Sequence, residues 1–367
     1  MQPALFEELQ SADPEAPAPA SCEVLPVACP PAWLALAAAL RQRYGDRLHL
    51  GTSSWHFPGW AGLVWAARPA TDPPYPRGLL SARGLQAYAR HPLMRSVSLD
   101  RAFYRPLPVE IYARLAAQVP ADFRFVVKAP SLLTDAVRRD PATGAALEDN
   151  PHFLDPVLAV DAAWGPALEG LGPRLGALVF QLSPLPARWL QEPATLVLRL
   201  DALWDALERD RLNAAARPDA ATGVAGATAA GPSPPTPLIA LEVRDPALLG
   251  PRLVASLKAR GVRLCLGLHD RLPPIEAQLP AQRALWPGDL VCRWNLQRGQ
   301  RYAQARDAWA PFDRLQAPDE PTRQALARVM KGTLDAGHRV FVTINNKAEG
   351  SAPLSVLALA QALHALG

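Results

Sequence analysis

The sequence predicts an α/β protein whose parallel strands close into a single barrel. Short, nearly continuous apolar runs recur eight times along the chain, and helical patterns separate most of them. Such runs are typical of a parallel sheet covered on its outer face, and eight is the number of strands that closes a TIM-type (β/α)8 barrel. An open doubly wound sheet is the alternative, although no glycine-rich phosphate-binding fingerprint follows the first strand.

The predicted strands are spread over most of the chain. They cover residues 48–54, 96–104, 123–129, 175–182, 238–244, 262–269, 290–295 and 338–346. Helical patterns between them include PVEIYARLAAQV, PATLVLRLDALWDAL and PTRQALARVMKGTLDAG, and the last of these ends at a glycine just before the final strand. Strands and helices therefore alternate, as a barrel of this type requires.

Two low-complexity stretches precede or interrupt this pattern. Residues 1–30 are rich in Pro, Ala and Glu, and we expect them to be disordered. Residues 213–237 have too few large apolar side chains to offset the entropy of ordering, which predicts a flexible surface insertion. A domain linker is the alternative, but the strand pattern resumes afterwards in the same style. The sequence therefore predicts one barrel domain over residues 31–367.

Composition and charge argue against some classes of protein. No apolar run approaches the ~20 residues that a membrane helix needs, and the acidic start MQPALFEELQ does not resemble a secretory signal. The formal net charge of +4 is too small to argue for nucleic-acid binding by itself. The four cysteines are widely spread without a CxxC pair, which predicts reduced thiols and a cytoplasmic location. These features leave the oligomeric state open.

Polar side chains follow every predicted strand at its C-terminal end, where the catalytic groups of TIM barrels lie. They include Thr52, Ser53, Ser54, Trp55, Asp100, Tyr104, Lys128, Gln181, Glu242, Arg244, His269, Asp270, Arg293, Asn295, Asn345 and Asn346. Four of the charged residues, namely Lys128, Glu242, Arg244 and Arg293, stand within apolar runs. Because an unpaired charge is costly there, they must pair with each other, with water or with a ligand.

Lys128 is one of only four lysines in the chain. It could be a Schiff-base amine, a general base with a lowered pKa or an anion contact, and a salt bridge to Glu242 is the alternative. Glu242 and Arg244 lie two residues apart, so both point to the same face of their strand. Together with Arg293, these groups predict a site for a phosphate, sulfate or carboxylate. A purely structural charge network capping the barrel is the competing interpretation.

Metal binding has little support in the sequence, because the seven histidines include no HxH or HExxH pair. Only His56 and His269 fall near predicted strand ends, with Asp100 and Asp270 as candidate oxygen ligands. We therefore predict neither a metal nor a cofactor.

Three tryptophans follow the first strand, in the stretch GTSSWHFPGWAGLVW. Trp55, Trp60 and Trp65 are expected to wall one side of a pocket mouth, where aromatic rings suit stacking on a sugar or a base. Packing of these rings against the barrel rim is the alternative.

Several motifs, taken in order, resemble the DUF72 family, also called YecE-like proteins. They are GTSSWHFPGWAGLVW, FRFVVKAPSLLT, LGALVFQLSPLP, LEVRD and VFVTINN, and the resemblance runs from about residue 48 to residue 363. It implies a TIM-type barrel, in agreement with the strand count. It implies no reaction, since the biochemical function of the family is not established.

The resemblance also bears on individual site residues. Those that match the family motifs are Lys128, Gln181, Glu242, Arg244, Arg293, Asn345 and Asn346. Asp135 and Asp245 stand where the family usually has His, and Ser98 and Asp100 where it usually has Glu and Asn. The resemblance thus implies that an anion-binding half of the pocket is retained. Any proton transfer by the histidines is either lost, as in an inactive member, or moved to Asp135, Asp245 or His269.

Taken together, the sequence predicts an enzyme with an anion-binding pocket at the C-terminal face of the barrel. We expect hydrolase or lyase chemistry on a small phosphorylated or sugar-like substrate, with Lys128 and Glu242 as acid and base. The residues expected to bind the substrate are Trp55, Tyr104, Gln181, Arg244, Arg293, Asn345 and Asn346. The alternatives are a non-catalytic barrel retained for interaction and a nucleic-acid-binding barrel that uses basic segments such as AVRRD and QRGQRY.

Overall fold

A parallel sheet that nearly closes into a barrel forms the centre of this computed structural model, which describes residues 23–69, 71–140, 143, 145–216 and 235–367. Within those ranges the sheet has nine strands. They are β1 (Leu48–Thr52), β2 (Ser96–Leu99), β3 (Arg124–Lys128), β6 (Leu175–Gln181), β7 (Leu238–Glu242), β8 (Arg263–Leu264), β9 (Leu266–Leu268), β10 (Leu290–Trp294) and β11 (Val340–Ile344). The remaining two, β4 (Val137–Arg139) and β5 (Ala146–Asp149), form a separate antiparallel hairpin that the sequence did not predict.

The two edges of the sheet belong to one segment of chain. The spatial order is β8-β7-β6-β3-β2-β1-β11-β10-β9, so β8 and β9 lie at opposite edges. Only Cys265 separates them in the sequence, and its amide donates a hydrogen bond to the Leu241 carbonyl at 2.8 Å. When β8 and β9 are counted as one interrupted strand, the barrel has the eight strands expected from the sequence. The prediction of a TIM-type barrel is confirmed.

Helices follow most of the strands and flank the sheet. They are α1 (Pro31–Tyr44), α2 (Arg77–Tyr88), α3 (Val109–Ala116), α4 (Ser131–Thr134), α5 (Pro156–Ala159), α6 (Gly165–Leu171), α7 (Ala187–Gln191), α8 (Pro193–Ala216), α9 (Pro251–Ala259), α10 (Ile275–Ala284), α11 (Tyr302–Trp309), α12 (Glu320–Asp335) and α13 (Ala352–Ala365). None of the helices in the described ranges has the length and apolar character needed to cross a bilayer.

The inward faces of the strands form an apolar layer beneath a polar one. Because alternate residues of a strand point to the same face, the last apolar inward residue of four strands is followed two positions later by a polar one. The pairs are Val126 and Lys128, Val179 and Gln181, Ala240 and Glu242, and Val291 and Arg293. The apolar members cluster with Cys265 and Phe341 inside the barrel. The polar members therefore stand on an apolar floor near the C-terminal ends of their strands.

The two low-complexity stretches fall largely outside the described residues. Of residues 1–30, the part from residue 23 onwards is described: Val24 is buried, and the Val27 amide donates to the Val64 carbonyl at 3.0 Å. Of residues 213–237, the first four form the end of α8 and the last three precede β7. The expected disorder of residues 1–22 and the expected flexibility of residues 217–234 concern residues that are not described.

We predict that Gly51→Ala in β1 destabilises the barrel. A Cβ atom at this position meets the carbonyl oxygen of Ser96 in β2 at 1.8 Å, so two paired strands must separate. Overpacking of this kind costs about 1–3 kcal/mol or more. The control is Gly78→Ala in α2, where a Cβ meets nothing within 4 Å and the helix gains about 0.4–1 kcal/mol. Urea unfolding of both variants checks this, and equal midpoints contradict it.

Candidate functional site

A cavity of about 470 Å³ lies at the C-terminal ends of the barrel strands. Seven of the nine predicted site residues line it: Trp55, Tyr104, Lys128, Gln181, Arg244, Arg293 and Asn345. The other two do not reach the wall. Glu242 is 0% exposed and lies beneath the cavity. The amide oxygen of Asn346 accepts hydrogen bonds from Trp60 Nε1 at 3.2 Å and from the Ala352 amide at 2.8 Å, which ties it to the start of α13.

Glu242 holds the two arginines that the sequence predicted to bind an anion. Its Oε2 accepts a hydrogen bond from Arg293 Nη1 at 2.6 Å. Its Oε1 lies 2.6 Å from Arg244 Nη2 and accepts a further bond from Asn295 Nδ2 at 3.2 Å. Both carboxylate oxygens are therefore paired, and the carboxylate fixes the two guanidinium groups from below.

Further polar groups extend this network around the barrel. Gln181 Oε1 accepts from Arg244 Nη2 at 2.8 Å and from Arg293 Nη1 at 3.1 Å. Arg293 Nη2 donates to Asp100 Oδ1 at 2.8 Å, and the same oxygen accepts from Ser98 Oγ at 2.6 Å. The network thus joins the ends of β2, β6, β7 and β10.

The electrostatics keep Glu242 ionised. Burial opposes its charged form, but the guanidinium groups of Arg244 and Arg293 outweigh burial and hold the pKa of Glu242 at about 2. For Arg293, burial also opposes the charge, yet Asp100 and Glu242 raise its pKa. The carboxylate does not reach the cavity, and its observed contacts position Arg244 and Arg293. The acid/base role of Glu242 stays a prediction.

Lys128 makes no salt bridge to Glu242, contrary to one expectation from the sequence. No carboxylate of the described residues lies within 4.0 Å of its Nζ. The Nζ atom lies 3.4 Å from the centroid of the Phe103 ring, and Lys128 is only 7% exposed. Burial, together with the positive charge of Arg293, outweighs Asp100 and Glu242 and lowers the pKa of Lys128 to about 7. The amine is therefore both protonated and neutral in comparable amounts at physiological pH.

The cavity wall is strongly cationic. Among the described residues it contains eight basic and three acidic side chains, and of the acidic ones Asp100 is already paired with Arg293. Sequence reasoning missed five of the basic residues, namely Arg77, Arg101, Arg139, Arg271 and Lys347. Arg101 and Arg271 lie within three residues of strand ends, so the strand-end rule could have identified them. Arg77 lies at the start of a helix, where that rule does not apply.

The three tryptophans after β1 have different environments. Trp55 lines the cavity, as predicted. Trp60 and Trp65 are fully buried in the core, and Trp65 Nε1 donates to the Phe57 carbonyl at 3.0 Å. The prediction that all three rings wall the pocket is wrong for Trp60 and Trp65, which pack against the rim of the barrel instead.

The three residues that could take over the role of the family histidines, namely Asp135, Asp245 and His269, lie in different environments. Asp245 Oδ2 accepts from the Leu185 amide at 2.9 Å and does not line the cavity. Asp135 does line it, and burial, opposed by a hydrogen bond from Ser183, raises the pKa of this carboxyl. His269 pairs with Asp270, while burial and Arg244 lower its pKa to about 4. No group of three or more His, Cys, Asp or Glu side chains in the described chain is arranged to hold a metal ion.

The fold and the cavity define an α/β-barrel protein with a cationic cavity at the C-terminal ends of its strands. The family described as "Protein of unknown function DUF72" matches residues 49–366, and the chain belongs to this family. The resemblance found in the sequence motifs is thereby confirmed.

Solved structures of the same family are similar to this chain. A DUF72 family protein from Enterococcus faecalis V583 is 16% identical, with a TM-score of 0.49 over 88% of this chain and 99% of that one. Another, from Thermotoga maritima MSB8, is 14% identical, with a TM-score of 0.47 over 87% of this chain and 98% of that one. A comparison with curated proteins finds no match. Family membership rests on the match over residues 49–366.

We predict that Glu242→Gln lowers the free energy of unfolding by about 3–5 kcal/mol, because it leaves two buried guanidinium groups without their anion. The matched control is Asp205→Asn, which breaks a surface pair with Arg260 at 2.9 Å and should cost no more than about 1 kcal/mol. Urea unfolding at neutral pH compares the two. Equal losses would show that Glu242 does not stabilise the polar layer.

The lowered pKa of Glu242 also predicts that the free energy of unfolding depends on pH. The pKa of Glu242 is about 2 in the folded protein against an ordinary 4.5, so its contribution is present above pH 4.5 and is lost as the pH falls towards 2. The wild-type protein should therefore lose more unfolding free energy than Glu242→Gln between these pH values. Parallel acid-induced slopes for the two proteins contradict this assignment.

Proposed function

We propose that this protein is an enzyme that binds a small anionic substrate in the barrel cavity and uses the amine of Lys128 to transfer a proton. One observation carries the proposal: a buried lysine amine faces a cavity and has no carboxylate within 4.0 Å. A structural lysine pairs with an acid, whereas a desolvated amine near its neutral state is suited to acid–base catalysis near pH 7. The pKa of about 7 for Lys128 fits that use.

The charge and size of the cavity support an anionic small molecule as the substrate. Eight basic and three acidic side chains line it among the described residues. Its volume of about 470 Å³ lies within the ~300–1,000 Å³ usual for ligand pockets. We propose a phosphorylated or sugar-like compound and hydrolase or lyase chemistry.

The remaining site residues receive supporting roles in this proposal. Arg244 and Arg293, held by Glu242, line the inner end of the cavity, and their positive charges favour the neutral form of Lys128. Gln181 fixes the spacing of these arginines, and Asn345 Nδ2 donates to Ser53 Oγ at 2.8 Å. The rings of Trp55 and Tyr104 offer apolar contact to the substrate. Asn346 is withdrawn from the substrate-binding set because its side chain is buried against α13.

We retain the proposal of a cytoplasmic location. The described cysteines, Cys29, Cys265 and Cys292, are free thiols, which supports a reducing compartment.

The state of Lys128 can be measured because the chain has only four lysines. We predict that acetylation of Lys128 by trace acetic anhydride, followed across pH by mass spectrometry, has its midpoint near pH 7, since burial lowers the pKa to about 7. Exposed Lys258 on α9 provides the reference within the same sample. A Lys128 midpoint that coincides with that of Lys258 contradicts the proposed role.

The catalytic proposal is tested by turnover. We expect Lys128→Met to reduce kcat/KM at least about 100-fold on any substrate found in a panel of sugar phosphates and nucleotides, as expected for loss of a proton-transferring group. The control is Lys258→Met, which removes an exposed lysine on α9. Full activity of Lys128→Met refutes the role of this amine. Ligand binding without turnover by the wild-type protein favours the alternative of a non-catalytic barrel.

A further inference from the structure

Within the described part of the chain, two partly buried arginines of the cavity wall lack an anionic partner. Arg77, the first residue of α2, and Arg101, in the turn after β2, both line the cavity. Neither forms an ion pair within 4.0 Å with a carboxylate of the described residues, and the Nε atom of each is buried without a hydrogen-bond partner. The missing ion pair distinguishes them from Arg244 and Arg293, which Glu242 holds, although Arg244 Nη1 and Arg293 Nε are also without a hydrogen-bond partner.

Three consecutive side chains of the loop after β1 position these guanidinium groups. Arg101 Cζ lies 5.6 Å from the centroid of the Trp55 ring, and Arg77 Cζ lies 5.9 Å from that of Phe57. Between those rings, His56 Nε2 lies 3.2 Å from Arg77 Nη2. The aromatic faces restrict both arginines by cation–π contact and leave their charges uncompensated.

His56 adds no charge to this cluster. Burial, followed by the charges of Arg77 and Arg101, lowers the pKa of His56 to about 3, so the ring is neutral at physiological pH. A neutral ring can accept the Arg77 hydrogen bond at Nε2 while its Nδ1, 2.8 Å from Ser54 Oγ, donates to that hydroxyl. His56 thus orients Arg77 without supplying the negative charge that would satisfy it.

We infer that Arg77 and Arg101 form a subsite for a phosphate group, built from side chains other than Lys128. Two half-buried guanidinium groups without counter-ions match the two negative charges of a phosphate monoester, and each planar group can donate two parallel hydrogen bonds to its oxygens. A carboxylate supplies only one negative charge and would leave one of the two positive charges unmatched. The inference rests on the proposed function and narrows its substrate to phosphate-bearing compounds.

The proposed binding end lies next to the proposed reacting end but uses other side chains. The phosphate would lie against the loop that follows β1 and the turn that follows β2, and Lys128, at the end of the neighbouring β3, contacts the same turn through Phe103. A substrate bound by its phosphate therefore presents the rest of its structure to Lys128. Phosphate binding and proton transfer then depend on different side chains and can be removed separately.

The test titrates inorganic phosphate into the full-length protein by calorimetry, with sodium chloride holding the ionic strength constant. We expect Arg77→Gln and Arg101→Gln each to weaken phosphate binding at least about tenfold, as the loss of charge-assisted hydrogen bonds predicts. Arg252→Gln, which removes the same charge from the exposed surface of α9, should leave the affinity unchanged. Lys128→Met should still bind phosphate. The catalytic proposal can therefore fail while the phosphate subsite stands, and the two outcomes are distinguishable.

A second measurement does not depend on the folding of the variants. In the wild-type protein, phosphate should protect Arg77 and Arg101 from modification by phenylglyoxal, while Arg252 stays equally reactive, as read by peptide mass spectrometry. Acetate at the same concentration should protect neither residue. Unchanged phosphate affinity in both arginine variants, or no protection by phosphate, overturns the inference.

Discussion

The buried carboxylate of Glu242 is the interaction on which the polar end of the barrel depends. It is fully enclosed and pairs with two guanidinium groups that would otherwise repel each other in a region of low dielectric. Through Arg293 the same interaction reaches Asp100 at the end of β2. Burial is the main cause of the lowered pKa of Lys128, and the positive charge of Arg293 adds to it without a direct ion pair.

The wall above this cluster has a different electrostatic character. Beneath the cavity each charge is matched, whereas Arg77 and Arg101 meet only aromatic rings and a neutral histidine. Excess positive charge in a concave site raises the local concentration of anions and speeds their arrival. The family to which the chain belongs has no assigned reaction. In this molecule a charge-balanced network around Glu242 lies beneath the cavity, and the uncompensated positive charge of the wall above it can accept a partner.

The alternation of apolar runs and helical patterns was sufficient to predict the barrel, because burial on both faces leaves a clear mark on each strand. Twelve of the sixteen residues that the strand-end rule selected line the cavity, although most of the wall comes from other residues. Whether Lys128 pairs with Glu242 could not be predicted from the sequence, since pairing depends on strand register. In the sheet Lys128 aligns with Val179, and Gln181 with Glu242. Lys128 is therefore offset by two residues from Glu242 in the register of the sheet. Arg77 escaped prediction because no strand ends near it.

The apolar floor beneath the polar layer determines how a ligand can enter and leave the cavity. With Val126, Val179, Ala240 and Val291 packed together inside the barrel, a ligand cannot pass through its axis. Arrival and departure must use the same opening at the C-terminal face, so a bound molecule has to leave before the next one can enter. Residence time in such a blind-ended chamber then limits how fast one occupant is exchanged for another.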